Sequence, residues 1–129
     1  MPTRDELPPL SDVQLEIMNI VWDRGECGVA EVWKVLADRR GVARNTVQTL
    51  LVRLEEKGWL THREYGGYVY SATVPREDVQ RQSVQRMIDT VFAGSAEDLV
   101  LTLFSSGAVS KDELERIRKQ IAAARRKQS

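Results

Sequence analysis

The apolar residues of the segment 46–60 recur at the spacing of an amphipathic helix. They follow the i, i+3, i+4, i+7 pattern, which places them on one face that packs against a core. The opposite face carries amide, hydroxyl and guanidinium groups, which suit base edges and phosphates. Gly58 is expected to end the helix as the residue after its C-cap. The pattern therefore predicts a helix able to enter the major groove of DNA, with a buried back formed by Val47, Leu50, Leu51 and Leu54.

A β-hairpin is predicted directly after this helix. Residues 60–74 are rich in β-forming side chains on both sides of the pair Gly66-Gly67. Both glycines can adopt the positive φ angles that a tight hairpin turn requires. A Gly-Gly pair alone is equally typical of an ordinary surface turn, but the preceding helix favours a two-stranded wing.

Two more amphipathic helices precede the groove-reading helix. Ser11 and Gln14 have the spacing of a capping box, which predicts a first helix over Asp12–Arg24. A second helix is predicted over residues 29–37, and the tryptophan of each helix is expected to fill the small core. Three helices followed by a hairpin predict a winged helix-turn-helix domain over residues 1–75, in a chain that is mainly α with a small β-hairpin wing.

After Pro75 the pattern becomes entirely helical. Residues 76–129 contain no proline and no β-rich run, and they predict helices over about 77–92, over 99–104 and from 111 onwards. The short segment 99–104 is apolar almost all round, so we expect it to be buried.

These three helices have too little apolar surface to be stable as a separate unit. Pairing with a second copy would cover it and would give the DNA-binding domains the two-fold symmetry of paired half-sites. The alternative is that the helices fold back on the winged domain of their own chain. We therefore predict an all-helical dimerisation domain over residues 76–129, with an interface formed by Met87, Val91, Leu99, Leu101, Leu103, Leu114, Ile117 and Ile121.

Charge limits the kind of nucleic-acid binding that the chain supports. There are 19 basic and 19 acidic side chains and the formal net charge is zero, so bulk attraction to DNA is not expected. Basic residues nevertheless cluster between positions 39 and 63, whereas the acidic residues of the first domain lie mainly in 5–38. A basic face on a neutral protein predicts a modest DNA footprint with marked salt sensitivity.

Composition argues against several other functions. Cys27 is the only cysteine, so no disulfide framework or cysteine-based metal site is expected. His62 is the only histidine, and the chain has no glycine-rich phosphate loop, so we predict no catalysis and no cofactor. No apolar run is long enough to span a membrane and the N-terminus resembles no secretion segment, so we expect a cytoplasmic protein without membrane insertion.

Two motifs together resemble the BlaI/MecI penicillinase-repressor family, which includes copper-responsive CopY-type members. They are Met-Asn-Ile-Val-Trp-Asp at residues 18–23 and Asn-Thr-Val-Gln-Thr-Leu-Leu-Val-Arg-Leu at residues 45–54. The resemblance extends through Lys57, the wing and residues 98–101, and it covers about residues 8–126. It implies a homodimeric winged-helix repressor that binds an inverted-repeat operator in double-stranded DNA. It also implies inactivation when a membrane sensor-protease pathway cuts the C-terminal domain.

Carried over by position, the resemblance implies two sets of DNA contacts. The recognition helix would contact bases, and the start of that helix together with the wing would contact the DNA backbone. The first set is Asn45, Thr46, Gln48, Thr49 and Arg53, and the second is Arg44, His62, Arg63 and Tyr65.

This chain departs from the family pattern at two places that bear on regulation. The penicillinase repressors are cut at an Asn-Phe bond, where this chain has Thr102-Leu103. The copper-responsive members carry C-terminal cysteine pairs, which this chain lacks. Cleavage at Thr102-Leu103 is therefore an open expectation, and direct control by copper is not expected.

Two functions of other kinds stay open from the sequence. A winged helix can use its third helix on a partner protein, although only Val52 would offer an apolar anchor on that face. A ligand-sensing repressor of another winged-helix family would need a ligand pocket between the two domains.

Overall fold

Six α-helices and a small antiparallel sheet make up residues 7–128, the part of the chain that the computed structural model describes. The chain forms two compact units, of which the first ends at Gln82 and the second begins at Ser83. This boundary falls within the fourth helix, whose first turn follows the sequence-predicted boundary at residue 75. In chain order the elements are α1 (Asp12–Arg24), β1 (Cys27–Gly28), α2 (Val29–Arg40), α3 (Arg44–Glu56), β2 (Leu60–Glu64), β3 (Tyr68–Ala72), α4 (Arg76–Thr90), α5 (Ala96–Ser105) and α6 (Lys111–Gln128).

The first helix begins and ends as its local sequence predicts. The hydroxyl of Ser11 accepts a hydrogen bond from the backbone N–H of Gln14, and the Gln14 side chain accepts one from the backbone N–H of Ser11. This capping box satisfies two N–H groups that the helix itself cannot bond. Gly25, at φ 83°, ends α1. Helix α2 continues to Arg40, past the predicted end at residue 37, and stops where Gly41 adopts a left-handed φ of 66°.

The end of α3 fixes the path of the chain into the wing. The N–H of Trp59 donates to the Leu54 carbonyl at 2.9 Å, and the N–H of Gly58 donates to the Glu55 carbonyl at 3.0 Å. This pair of bonds defines a Schellman motif, and Gly58 supplies the positive φ of 95° that it requires. The predicted end of the helix at Gly58 is confirmed. Trp59 is then buried, so the wing leaves the helix from an anchored position.

The wing is a hairpin whose register pairs His62 with Tyr70. Its turn consists of residues 65–67, and Gly66 and Gly67 both have positive φ, as predicted. The predicted two-stranded hairpin is confirmed, and β1, which was not predicted, adds a third strand to it in the order β1-β3-β2. A strand of two residues has no periodicity of its own, and only its long-range pairing with β3 defines it.

The core of the first unit lies between α1, α2, α3 and the sheet. Trp22 and Trp33 are partly buried against it, as expected, and their indole N–H groups donate to the carbonyls of Val74 and Val42. An indole that packs on one side and hydrogen-bonds on the other fills a small core without leaving its N–H unsatisfied. The buried apolar residues are Ile17, Met18, Ile20, Val21, Cys27, Val32, Leu36, Val47, Leu51, Leu54, Trp59, Leu60, Tyr70 and Val74.

The helices of the second unit differ from expectation in two respects. Helix α4 ends at Thr90, so Val91 and Phe92 lie in the following turn and not within the helix. This turn contains two consecutive positive φ angles, at Ala93 and Gly94, which no α-helix contains.

The second difference concerns α5, which is apolar but not buried in the single chain. Leu101 is 56% exposed and Leu103 is 43% exposed, and α5 has no buried residue. The expectation of a buried helix is therefore wrong for one copy of the chain. Apolar composition shows that a helix favours burial but does not say which surface covers it.

Candidate nucleic-acid interface

One face of α3 presents a mainly polar stripe to solvent. The back of the helix is held by Val47, Leu51 and Leu54, which are completely buried. Because side chains three and four positions apart share a helix face, the opposite side forms a single row. This row, the reading stripe, lines a shallow depression and consists of Asn45, Gln48, Thr49, Val52, Arg53 and Glu56.

The reading stripe combines unpaired polar groups with a small apolar patch. In the described part of the chain, no hydrogen bond or ion pair involves the side chains of Gln48 or Arg53. The hydroxyl of Thr49 donates to the carbonyl of Asn45 at 3.0 Å, so it is satisfied within its own helix. The γ-methyl of Thr49 and the exposed side chain of Val52 are then the apolar part of the stripe. The stripe offers amide, guanidinium and methyl groups, which are the types of group that recognise base edges and thymine methyls.

A second depression lies between α3 and the wing. Gln48 lines both depressions, so it stands where the helix and the hairpin meet. Arg44, the first residue of α3, lies there beside two wing tyrosines, Tyr68 and Tyr70. Thr46 is exposed on the first turn of α3 but lines neither depression.

His62 is held within the protein by two neighbours. Its Nδ1 lies 2.6 and 2.7 Å from the two carboxylate oxygens of Glu55, at the end of α3. Its ring stacks on Tyr68 with centroids 3.9 Å apart and an interplanar angle of 18°. The side chain is 29% exposed. His62 therefore joins the wing to the recognition helix, whereas the resemblance implied only a contact with the DNA backbone.

Arg63 is paired on the other face of β2. Its guanidinium donates to both carboxylate oxygens of Glu26, at 2.7 and 3.2 Å. These hydrogen bonds hold the pKa of Glu26 below its ordinary value and raise the pKa of Arg63. The guanidinium carbon also lies 5.1 Å from the ring centroid of Tyr65, which is 75% exposed at the wing tip.

The basic segment between residues 39 and 63 is thus less positive than its sequence suggests. Arg40, like Arg63, is neutralised by an acid from another element: it donates to both oxygens of Glu16 at 2.7 and 2.9 Å. These partners are distant in sequence, so periodicity could not have revealed them. Arg44, Arg53 and Lys57 have no ion pair among the described residues.

Other chemistry has little support in residues 7–128. They contain no group of three or more His, Cys, Asp or Glu side chains placed to hold a metal ion. Cys27 is buried, its Sγ lies 3.9 Å from the carbonyl of Ile20, and burial raises its pKa to about 11. A thiol with that pKa is a poor nucleophile near neutral pH. Among the helices described, none has the length and apolarity that crossing a membrane requires.

Three helices, a wing beside the third, and a solvent-facing polar stripe on that helix define a winged helix-turn-helix DNA-binding domain. Comparison with known proteins identifies the family. The penicillinase repressor family model matches residues 10–123, and the chain belongs to this family. The family is one of DNA-binding repressors and not of enzymes, so the expected family, fold class and absence of catalysis are confirmed.

Curated relatives match over most of their length. The chain is 26% identical over 113 residues to the penicillinase repressor of Bacillus licheniformis, which covers 87% of this chain and 88% of that protein. It is 24% identical over 110 residues to the methicillin resistance regulatory protein MecI of Staphylococcus aureus, covering 84% of this chain and 89% of that protein.

Two solved structures resemble the first unit. The solution structure of the DNA-binding domain of the repressor BlaI matches with a TM-score of 0.51 and 34% identity, covering 56% of this chain and 89% of that one. The monomeric form of Bacillus licheniformis BlaI, in complex with the blaP half-operator, matches with a TM-score of 0.50, the same identity and the same coverage.

Proposed function

We propose that this protein is a sequence-specific transcriptional repressor that binds an inverted-repeat operator as a homodimer. The observation that carries the proposal is the reading stripe, whose unpaired Gln48 and Arg53 are held towards solvent by a completely buried helix back. The BlaI relative that binds a half-operator supports the same use of this domain here. Operator DNA lies in the cytoplasm of a bacterium, so we place the protein there.

The contacts divide by chemistry. We assign base contacts to the stripe, where Gln48 can bond an adenine bidentately and Thr49 can meet a thymine methyl. We assign backbone contacts to Arg44 at the start of α3 and to Tyr65 and Arg63 on the wing, because phosphate contacts position a protein without reading sequence. Arg63 must share or exchange its Glu26 partner to reach a phosphate. Asn45, Thr46 and Arg53 complete the proposed contacts of the helix.

The second unit supplies a surface suited to pairing. Leu101 of α5, Met87 of α4 and Ile121 of α6 are each about half exposed in the single chain. Exposed apolar side chains on three helices of a unit this small favour association with a second copy. We therefore propose that the second unit forms the dimer, through Met87, Val91, Leu99, Leu101, Leu103, Leu114, Ile117 and Ile121.

Replacing Leu101 with Glu tests the dimer. Sedimentation of the full chain at micromolar concentration should show a dimer, and the variant should be a monomer because a charge would be buried at the interface. The monomer should bind the full operator less tightly by on the order of 10²-fold, since the half-sites lose their linkage. Leu15→Glu is the control, because Leu15 is an exposed leucine on α1, outside the proposed interface. A full-length wild-type monomer would contradict the proposal.

Replacing Gln48 with Ala tests base reading. The variant should lose roughly 1–3 kcal/mol of specific binding and should relax its preference at one base of each half-site. Arg53→Ala should instead weaken binding to all sequences and reduce the salt slope by about one. Mobility-shift titrations over a range of salt measure both effects. Arg40→Ala is the control for charge, because it lowers the net charge by one as Arg53→Ala does, at an arginine that pairs with Glu16 and lies outside the reading stripe. If Gln48→Ala changed neither affinity nor base preference, α3 would not be the reading element.

Replacing thymine with uracil in the operator tests the apolar part of the stripe. Uracil lacks only the 5-methyl group of thymine. The protein should therefore bind less tightly when uracil replaces thymine at one position in each half-site, where the methyl contacts Thr49 or Val52. Thr49→Ser combined with Val52→Ala should bind thymine and uracil operators equally well. A wild-type protein that does not distinguish the two bases at any position would exclude methyl recognition by this stripe.

We also propose that repression ends by cleavage at Thr102-Leu103, by a membrane sensor-protease pathway. Both residues lie inside α5, where the carbonyl of Thr102 accepts the N–H of Ser106 at 2.9 Å. A protease needs an extended backbone, so this helix must first open locally. Cutting there would separate α6 from α4 and weaken the proposed dimer without altering the reading stripe.

Mass spectrometry of the protein from induced cells tests this route. Two fragments that meet between Thr102 and Leu103 are expected under full derepression. Thr102→Lys changes the residue before the bond to another side chain that a helix accommodates, and it should leave the chain uncut and the gene repressed. A wild-type chain of intact mass under full derepression would contradict proteolytic control.

A further inference from the structure

We propose that Glu55 and His62 are positioning residues, which set the position of the wing relative to the recognition helix and do not themselves contact DNA. This inference rests on the proposed function, because its consequence is the correct placement of the wing tip on the operator. It concerns a cluster, the wing clamp, that consists of Glu55 on α3, His62 on β2 and Tyr68 on β3.

The geometry of the wing clamp joins all three elements. Both carboxylate oxygens of Glu55 lie within 2.7 Å of the Nδ1 of His62, so this nitrogen carries the proton that is donated. The face of the imidazole stacks on Tyr68, and Tyr70 lies 5.8 Å away at a tilt of 55°. The edge of the His62 imidazole is therefore fixed by α3, and its face is fixed by β3.

Partial burial makes this contact stronger than an ordinary surface pair. The side chains of His62 and Glu55 are 29% and 30% exposed. A hydrogen bond to a carboxylate is stronger than one between neutral groups, and exclusion of water strengthens it further. A pair on the open surface would contribute little to the position of the wing.

The wing clamp lies between the start of the wing and its tip. Helix α3 ends at Glu56 and β2 begins at Leu60, so only a short turn connects the helix to the wing. The tip residue Tyr65 lies three positions beyond His62, about 10 Å along the strand. A small rotation of the hairpin about the wing clamp would move the tip far enough to disturb a contact with DNA, because such contacts tolerate little misplacement.

A second carboxylate holds the opposite face of the same strand. Consecutive residues of a strand point to opposite sides, so His62 and Arg63 face different elements. Arg63 is held by Glu26, in the segment between α1 and β1. The wing is thereby held from both faces, and the His62 side connects it directly to Glu55 of α3.

The carboxylate also makes the Nδ1 of His62 a poor candidate for a phosphate contact. A phosphate that approached Nδ1 would have to displace Glu55, whose negative charge lies 2.6 Å from that nitrogen. Two anions competing for one donor repel each other at this distance. Holding the wing is the role that agrees with the observed partners.

Nitrogen NMR of the imidazole tests the clamp without DNA. His62 is the only histidine of the chain, so its ring gives an isolated signal. The wild-type protein should show a slowly exchanging Nδ1–H, and Glu55→Ala should abolish it. Glu56→Ala removes the neighbouring carboxylate, which does not contact His62, and should leave the signal unchanged. A rapidly exchanging Nδ1–H in the wild-type protein would overturn the clamp.

A double-mutant cycle tests its role in DNA binding. Tyr65→Ala should weaken operator binding about threefold to tenfold in the wild type, the loss expected for one hydrogen bond or packing contact. It should have almost no further effect in the Glu55→Ala background, because the tip is already misplaced. Gln48→Ala should cause the same loss in both backgrounds. Glu55→Gln should restore the coupling, since its amide oxygen can still accept the Nδ1–H.

The outcomes separate the two proposals. Independent, multiplying effects of Glu55→Ala and Tyr65→Ala would overturn the positioning role while leaving operator binding intact. If Gln48→Ala and Tyr65→Ala each left operator affinity unchanged, the proposed function would fail, and the positioning role would fail with it even if the NMR signal showed the Glu55–His62 contact.

Discussion

The burial of one side of α3 is the constraint on which the reading surface depends. Val47, Leu51 and Leu54 are completely enclosed by α1, α2 and the sheet, so the rotation of the helix about its own axis is fixed. Fixing the rotation decides which residues face outwards, because successive positions on a helix are about 100° apart. Loss of any one of these side chains would create a cavity and loosen this rotation. The position of the exposed Gln48 therefore depends on the packing of the buried side of its helix.

Local sequence patterns predicted the helices and the hairpin of the first unit well. The bounds of α1, the end of α3 at Gly58 and the positive φ of the hairpin glycines each follow from residues within a few positions of one another. The strand β1, the Glu16–Arg40 pair and the Glu55–His62 contact could not be predicted in the same way, because the fold brings together residues from different elements. Sequence could name His62 as part of the wing but could not show which partner it has.

The apolar helix α5 shows a different limit of the same reasoning. Its composition correctly indicates a surface that favours removal from water, and 99–104 lies within a helix as predicted. In one copy of the chain, however, Leu101 and Phe104 remain exposed to solvent. Hydropathy describes a preference of the side chains, whereas burial is a property of the assembly that satisfies it. Because the apolar side chains of α5 favour burial but are exposed in one copy of the chain, we infer that a second copy covers them.

The distribution of carboxylates also bears on how a neutral protein can select one DNA sequence. Non-specific binding is mainly electrostatic, and Glu16 and Glu26 neutralise two of the arginines that would contribute to it. In the proposed base contacts, the amide of Gln48 and the methyl of Thr49 carry no net charge, so their contribution would depend on the base they meet. Weaker non-specific binding with unchanged base-dependent binding raises the ratio of specific to non-specific affinity. This ratio decides where the protein binds in a genome with many competing sites. In the proposed homodimer, a weak single domain of this kind would gain its affinity from the pairing of two half-sites, so control of dimerisation would become control of repression.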